Sequence, residues 1–189
     1  GGRTVWSDGT FTIEPGSVVG VIGPNGSGKT TMLELILGLL APTTGHVEVF
    51  GDDPRRGRHR IGYVPQNYTA AVGDVVRCRD LVALGANGTT WGPGRSRVTA
   101  AVDEALDAVG ALDFANQRLS AVSGGQQQRV AIAQGIVTKP ELLLLDEPLA
   151  NLDLRTQYEI VELLSSLSAE RAMTIVIVAH DLNPLLHIL

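Results

Sequence analysis

A chain of 189 residues, 44% hydrophobic and 19% charged, holds enough apolar material for one packed domain and too much for a disordered one. A net charge of −5 and a pI near 5.3 argue against a surface built to grip nucleic acid, which calls for a basic face. A lone cysteine, Cys78, permits no internal disulfide, and no stretch is apolar for the ~20 residues that a membrane span needs. Any membrane crossing is therefore expected of another chain. No cleavable signal is read at the N-terminus.

In chain order, Val18 to Ile22 is a short, nearly continuous apolar run. Leu142 to Leu145 and Thr174 to Ala179 have the same character, which predicts parallel strands covered on both faces. A helix follows Lys29, with Met32, Leu33, Leu35, Ile36 and Leu39 on its apolar face, and stops before Pro42. Gly45 to Gly51 alternates like an exposed strand, and Arg55 to Arg60, after Asp52 and Asp53, reads as a solvated loop. Residues 67–120 read mainly as helix and loop, with a Gly-, Thr- and Asn-rich surface loop at Gly85 to Gly94. Further helices are expected at about 97–109, 126–138 and 155–169. There is no internal repeat. Strands alternating with helices predict an α/β domain.

Gly23-Pro24-Asn25-Gly26-Ser27-Gly28-Lys29-Thr30 fits G-x-x-x-x-G-K-[ST], with a strand before it and a helix after. Glycines let the backbone wrap a polyphosphate with its N–H groups inward, and the helix start adds its dipole. Lys29 is expected at the β- and γ-phosphates and the Thr30 hydroxyl on Mg²⁺, with Thr31 following in the same site. Nucleotide binding follows.

Leu142-Leu143-Leu144-Leu145-Asp146-Glu147 is an apolar strand ending in two carboxylates. Asp146 is the candidate second half of the Mg²⁺ site, and Glu147 the candidate base for an attacking water. Ser123-Gly124-Gly125-Gln126, before the third helix, offers backbone N–H groups and a hydroxyl as a second anion site. A plain helix cap at Ser123 is an equal alternative at this point.

Here the chain resembles the ABC ATPase family over nearly its whole length. Ser123-Gly124-Gly125-Gln126 resembles the signature motif, and Tyr63-Val64-Pro65-Gln66 the Q-loop. Ala150-Asn151-Leu152-Asp153 is similar to the D-loop, and Ala179-His180-Asp181 to the switch-histidine segment. They occur in the family's order, together with the cradle and the Asp146–Glu147 strand. The resemblance implies a P-loop NTPase fold with a mainly parallel sheet, an N-terminal antiparallel β part and an inserted helical subdomain. The core would be about 1–66 and 121–189, and the helical subdomain about 67–120.

It further implies a head-to-tail pair, with ATP between one copy's cradle and the other's signature motif and Asp153 in the D-loop. Gln66 would contact Mg²⁺ and the attacking water, Glu147 would polarise that water, and His180 would contact the γ-phosphate. Residues 67–120 with the Q-loop would meet an integral membrane permease at the cytoplasmic face of the membrane. A solute-binding protein is a further expected partner, and nucleic acid is not. The remaining histidines, His46, His59 and His187, are read as ordinary polar residues.

The family's adenine-stacking aromatic would lie upstream of residue 1, since Trp6 and Phe11 stand too close to the cradle. The family also continues past Leu189, so the domain is expected to be incomplete at both ends. Ile61 to Gln66, Asp80 to Gly85 and His180 to Leu185 look most like bacterial importers of zinc, manganese or iron chelates. An exporter motor and a soluble non-transport ABC ATPase stay open as alternatives.

Overall fold

The computed structural model describes residues 4–7, 9–66, 75–86, 95–180, 183, 185, 186 and 188. Expectations on the loop residues 87–94, on residues 67–74, and on Asp181, Leu182, Pro184 and His187 lie outside the described residues. Among the described residues four strands form one sheet: β1 (Val18–Ile22), β2 (Ile61–Val64), β3 (Leu142–Asp146) and β4 (Thr174–Ala179), in the order β1-β4-β3-β2. Every pairing in it is parallel, with Ile22 opposite Ala179, Asp146 opposite Val178, and Val64 opposite Leu145. Strands that run one way deliver their C-terminal ends to one edge, where ligands of open α/β sheets bind.

Both faces of the sheet are packed, which is why β3 and β4 read as unbroken apolar runs. Leu142 and Leu144 of β3, with Val176 and Val178 of β4, face Met32, Leu33 and Ile36 of α1 (Lys29–Ile36). Leu143, Leu145, Ile175 and Ile177 face the larger core on the other side. That core takes in α2 (Cys78–Ala86), α3 (Arg95–Ala108), α4 (Gly124–Ile136) and α5 (Leu154–Arg171).

The expected strands and helices are present, with four differences. β1 is an edge strand and only partly buried, because β4 is its one partner in the sheet. β2 is a strand that the apolar-run criterion did not pick out. α1 ends at Ile36 rather than running to Leu39, because Gly38 takes a left-handed φ of 63°. The Arg58 guanidinium then donates to the carbonyls of Leu37 (2.9 Å) and Gly38 (2.6 Å).

The fourth difference is Gly45 to Gly51, which forms no strand. Phe50 and Gly51 both have positive φ and make a tight turn closed by the antiparallel bridge Val49–Asp52. Among the described residues this bridge and Arg77–Arg118 are the antiparallel pairings, so the expected N-terminal antiparallel part is not formed there. A lone segment cannot be a strand without a partner for its backbone groups. The basic run is exposed but anchored: Arg55 pairs with Asp53, Arg56 with Asp52, and Arg60 with Glu141 while lying 3.8 Å over the Phe50 ring.

Candidate functional site

The loop between β1 and α1 wraps tightly because its glycines allow it. Gly26 and Gly28 have φ of 79° and 93°, a region that other residues enter only with strain. Gly28 is the N-cap of α1 and gives no side-chain cap, and no acidic residue stands in the first turn. The helix start therefore presents its backbone donors and positive dipole end to an anion. Lys29 is only 8% exposed, and its ammonium donates to the carbonyls of Gly23 (2.6 Å) and Pro24 (3.1 Å). A cavity of about 340 Å³ opens on this loop, with Asn25, Gly26, Gly28, Lys29, Thr30 and Thr31 on one wall and Gln66 and Glu147 on the other.

The second wall comes from neighbouring strand ends. Asp146 ends β3 at 8% exposure. Burial pushes its carboxyl above the ordinary value, as does the adjoining Glu147 charge; the Lys29 ammonium and a hydrogen bond from the Thr30 hydroxyl pull it back. Glu147 then turns sharply, at a left-handed φ of 52°. Its N–H donates to the Val178 carbonyl of β4 (2.9 Å), and its carbonyl accepts from Ala150 N–H (3.2 Å). These bonds hold a backbone that costs about 1–2 kcal/mol for a non-glycine residue.

The Glu147 carboxylate is gripped from both sides. Gln66, after β2, donates Nε2 to Oε2, and His180, after β4, places Nε2 at 2.6 Å from Oε1. Two residues from two strand ends thus converge on the carboxylate of a third, beside the loop. The Glu147 side chain is 12% exposed and that of His180 is 44% exposed, so the cluster sits at the mouth of the cavity rather than deep in the core.

The donors also fit Mg²⁺. A hydroxyl (Thr30), an amide (Gln66) and a buried carboxylate (Asp146) supply the hard oxygens that this ion takes. The raised Asp146 carboxyl is a charge that a cation would relieve. Among the described residues no cluster of three His, Cys, Asp or Glu side chains forms a separate metal cage.

The Ser123–Gln126 segment stands apart from the cavity lining. Ser123 caps α4: its Oγ accepts from Gln126 N–H (3.3 Å), and its own N–H donates to Gln126 Oε1 (2.9 Å). Asp153 likewise caps α5 and is not in the lining. Both motifs are thus brought to helix starts, not to the chain's own phosphate loop. Thr4 and Val5 do line the cavity, and no sequence signal marked them. The ring of Trp6 packs edge-on to Phe11, with centroids 5.9 Å apart.

A strand–glycine loop–helix cradle beside a buried carboxylate at the end of a parallel strand, with one strand of the sheet between the two, defines a P-loop nucleoside triphosphatase. The family model described as ABC transporter matches residues 7–150. The manganese transport system ATP-binding protein MntB of Bacillus subtilis is 36% identical over 184 residues, 96% of this chain and 73% of that protein. The zinc uptake system ATP-binding protein ZurA of Listeria innocua is 39% identical over 186 residues, 91% of this chain and 69% of that protein.

Two solved structures share the fold. One is CbiO1 of Clostridium perfringens, part of the ABC transporter complex CbiONQ, with a TM-score of 0.82 and 30% identity, covering 92% of this chain and 70% of that one. The other is a dimeric ATP-binding cassette in a post-hydrolysis state bound to ADP and Pi, with a TM-score of 0.79 and 32% identity, covering 95% and 82%. The chain belongs to the ABC transporter family, as its ATP-binding and ATP-hydrolysing subunit. No helix among the described residues is long and apolar enough to cross a membrane.

Proposed function

We propose that this subunit powers import of a divalent metal ion, zinc or manganese, through a separate integral membrane permease. It acts at the cytoplasmic face of the membrane, with a solute-binding protein delivering the cargo. The observation that carries the ATPase site is the meeting of Gln66 and His180 on the Glu147 carboxylate beside the phosphate loop. The cargo rests on the relatives, two of which are named for manganese and zinc transport.

In this reading Gly23 to Thr31 cradle the phosphates and Lys29 leaves the Gly23 and Pro24 carbonyls for the β- and γ-phosphates. Thr30, Gln66 and Asp146 would hold Mg²⁺, which when bound neutralises charge on the phosphate oxygens. Glu147 accepts the proton of the attacking water, a role that needs position first and basicity second. Gln66 aims that water, and His180 steadies the Glu147 carboxylate and reaches toward the γ-phosphate. Hydrogen bonds to Val178 and from Ala150 hold the Glu147 backbone, so this group needs little reorganisation for the reaction itself.

Ser123, Gly124, Gly125 and Gln126 meet the ATP of a second copy arranged head to tail, which accords with their standing apart from the cavity. Asp153 lies at the same contact. Residues 67–120, as a helical subdomain, take the permease. The γ-phosphate is the differential contact that favours the closed pair, and its loss reopens it. Cells carrying Lys29→Ala and grown in limiting zinc, manganese or iron test the cargo. The expected result is a selective fall in cellular zinc or manganese; unchanged metals would contradict metal import.

A further inference from the structure

Two helix starts face each other away from the cavity, and one residue joins them. At the start of α5 the Thr156 N–H donates to Asp153 Oδ1 (3.0 Å) and the Thr156 Oγ1–H donates to Asp153 Oδ2 (2.7 Å). Both carboxylate oxygens of Asp153 are thus held by the same threonine. The other branch of that side chain points at α4. A Cβ built on Gly125 would lie 2.5 Å from Thr156 Cγ2, so the methyl group fills the space that glycine leaves.

The contact extends on either side. A Cβ on Gly124 would lie 3.5 Å from Leu152 Cδ2, in ordinary van der Waals contact. One turn further on, Arg129 of α4 stands 3.8 Å from Glu159 of α5. Gln157 Nε2 donates to the carbonyls of Leu149 (3.3 Å) and Leu152 (3.0 Å), which fixes the turn that leads into Asp153.

We propose that Thr156 is a positioning residue that ties the Asp153 carboxylate to the N-terminus of α4, so that Ser123–Gln126 and the Leu149–Asp153 turn are displaced together. Its hydroxyl sets the aspartate and its methyl sets the glycine, on opposite branches of one stiff β-branched side chain. Threonine alone supplies both: serine keeps the hydroxyl and loses the methyl, and valine does the reverse. The inference rests on the reading that Ser123–Gln126 and Asp153 act at the nucleotide of a second copy. If they do, their relative placement within one chain decides whether both engage that nucleotide at once.

The test measures ATP turnover at saturating ATP and ATP affinity for Thr156→Ser and Thr156→Val in the purified protein, with Ser123→Arg alongside. Each Thr156 variant is expected to lose about fivefold in turnover, the worth of one typical hydrogen bond or its packing equivalent. ATP affinity at the chain's own cradle is expected to stay unchanged, because Thr156 is not in the cavity lining. Full turnover in either variant overturns the two-sided role. Turnover and affinity falling together overturns it as well, since that marks a general loss of fold. Ser123→Arg at the parent rate overturns the underlying reading of the site. An inactive Ser123→Arg with fully active Thr156 variants overturns this inference alone.

Discussion

Asp146 carries a cost that its neighbours only partly offset. Its carboxylate is buried beside the Glu147 charge, and the Lys29 ammonium and the Thr30 hydroxyl do not restore an ordinary affinity for the proton. A carboxyl raised in the folded state favours the fold at acid pH, and that advantage is lost as pH rises through the folded value. At neutral pH the charged group therefore weighs against folding. Asp146→Asn is expected to melt at a higher temperature than the parent without nucleotide, and to lose ATP turnover. Thermal unfolding at neutral pH checks this; an equal or lower Tm contradicts it. The two carboxylates were legible in the sequence because an apolar strand announces its own end. The left-handed backbone at Glu147 was not, because it is set by the Val178 carbonyl from a distant strand. Thr4 and Val5 escaped for the same reason: their place in the cavity depends on how the chain folds back.

Between elements, small residues decide how close α4 and β2 lie. A Cβ on Gly62 would sit 2.2 Å from the Gly135 carbonyl oxygen, which is backbone and cannot swing aside. Gly62→Ala is expected to destabilise the protein by about 1–3 kcal/mol, as overpacking does. Denaturant unfolding measures it, and a change near zero contradicts the tight β2–α4 contact. Asp153 acts at the next junction. Hydrogen bonds from the Thr156 N–H and hydroxyl hold its carboxyl below the ordinary range. Its contribution is full above the ordinary carboxylate value and is lost as pH falls through the lowered one. The Tm gap between the parent and Asp153→Ala is therefore expected to be open at neutral pH and to close in acid. A gap that does not narrow as pH falls below the ordinary carboxylate range contradicts the charge argument.

The helices were legible from their apolar spacing, but their ends were not always. α1 stops where Gly38 and the distant Arg58 stop it, and β2 is a four-residue strand because β3 lies beside it.

For the molecule as a whole, the parallel sheet is what makes the site. Its strands run one way, so the phosphate loop, Gln66, Glu147 and His180 reach one edge although they are spread over most of the chain. The alternation of apolar runs and helices predicted that architecture, and the ordered motifs predicted the cluster. Sequence could not show that Gln66 and His180 both close on Glu147, since that depends on the order β1-β4-β3-β2. The same geometry supports the proposal that Glu147 acts on the attacking water while Lys29 and its loop bind the nucleotide. The direct measurement is ATP affinity and steady-state turnover for Glu147→Gln, which keeps the side chain's size and removes its basicity. The account predicts unchanged or tighter ATP binding with turnover reduced about 10²–10⁴-fold. Turnover at the parent rate would contradict it.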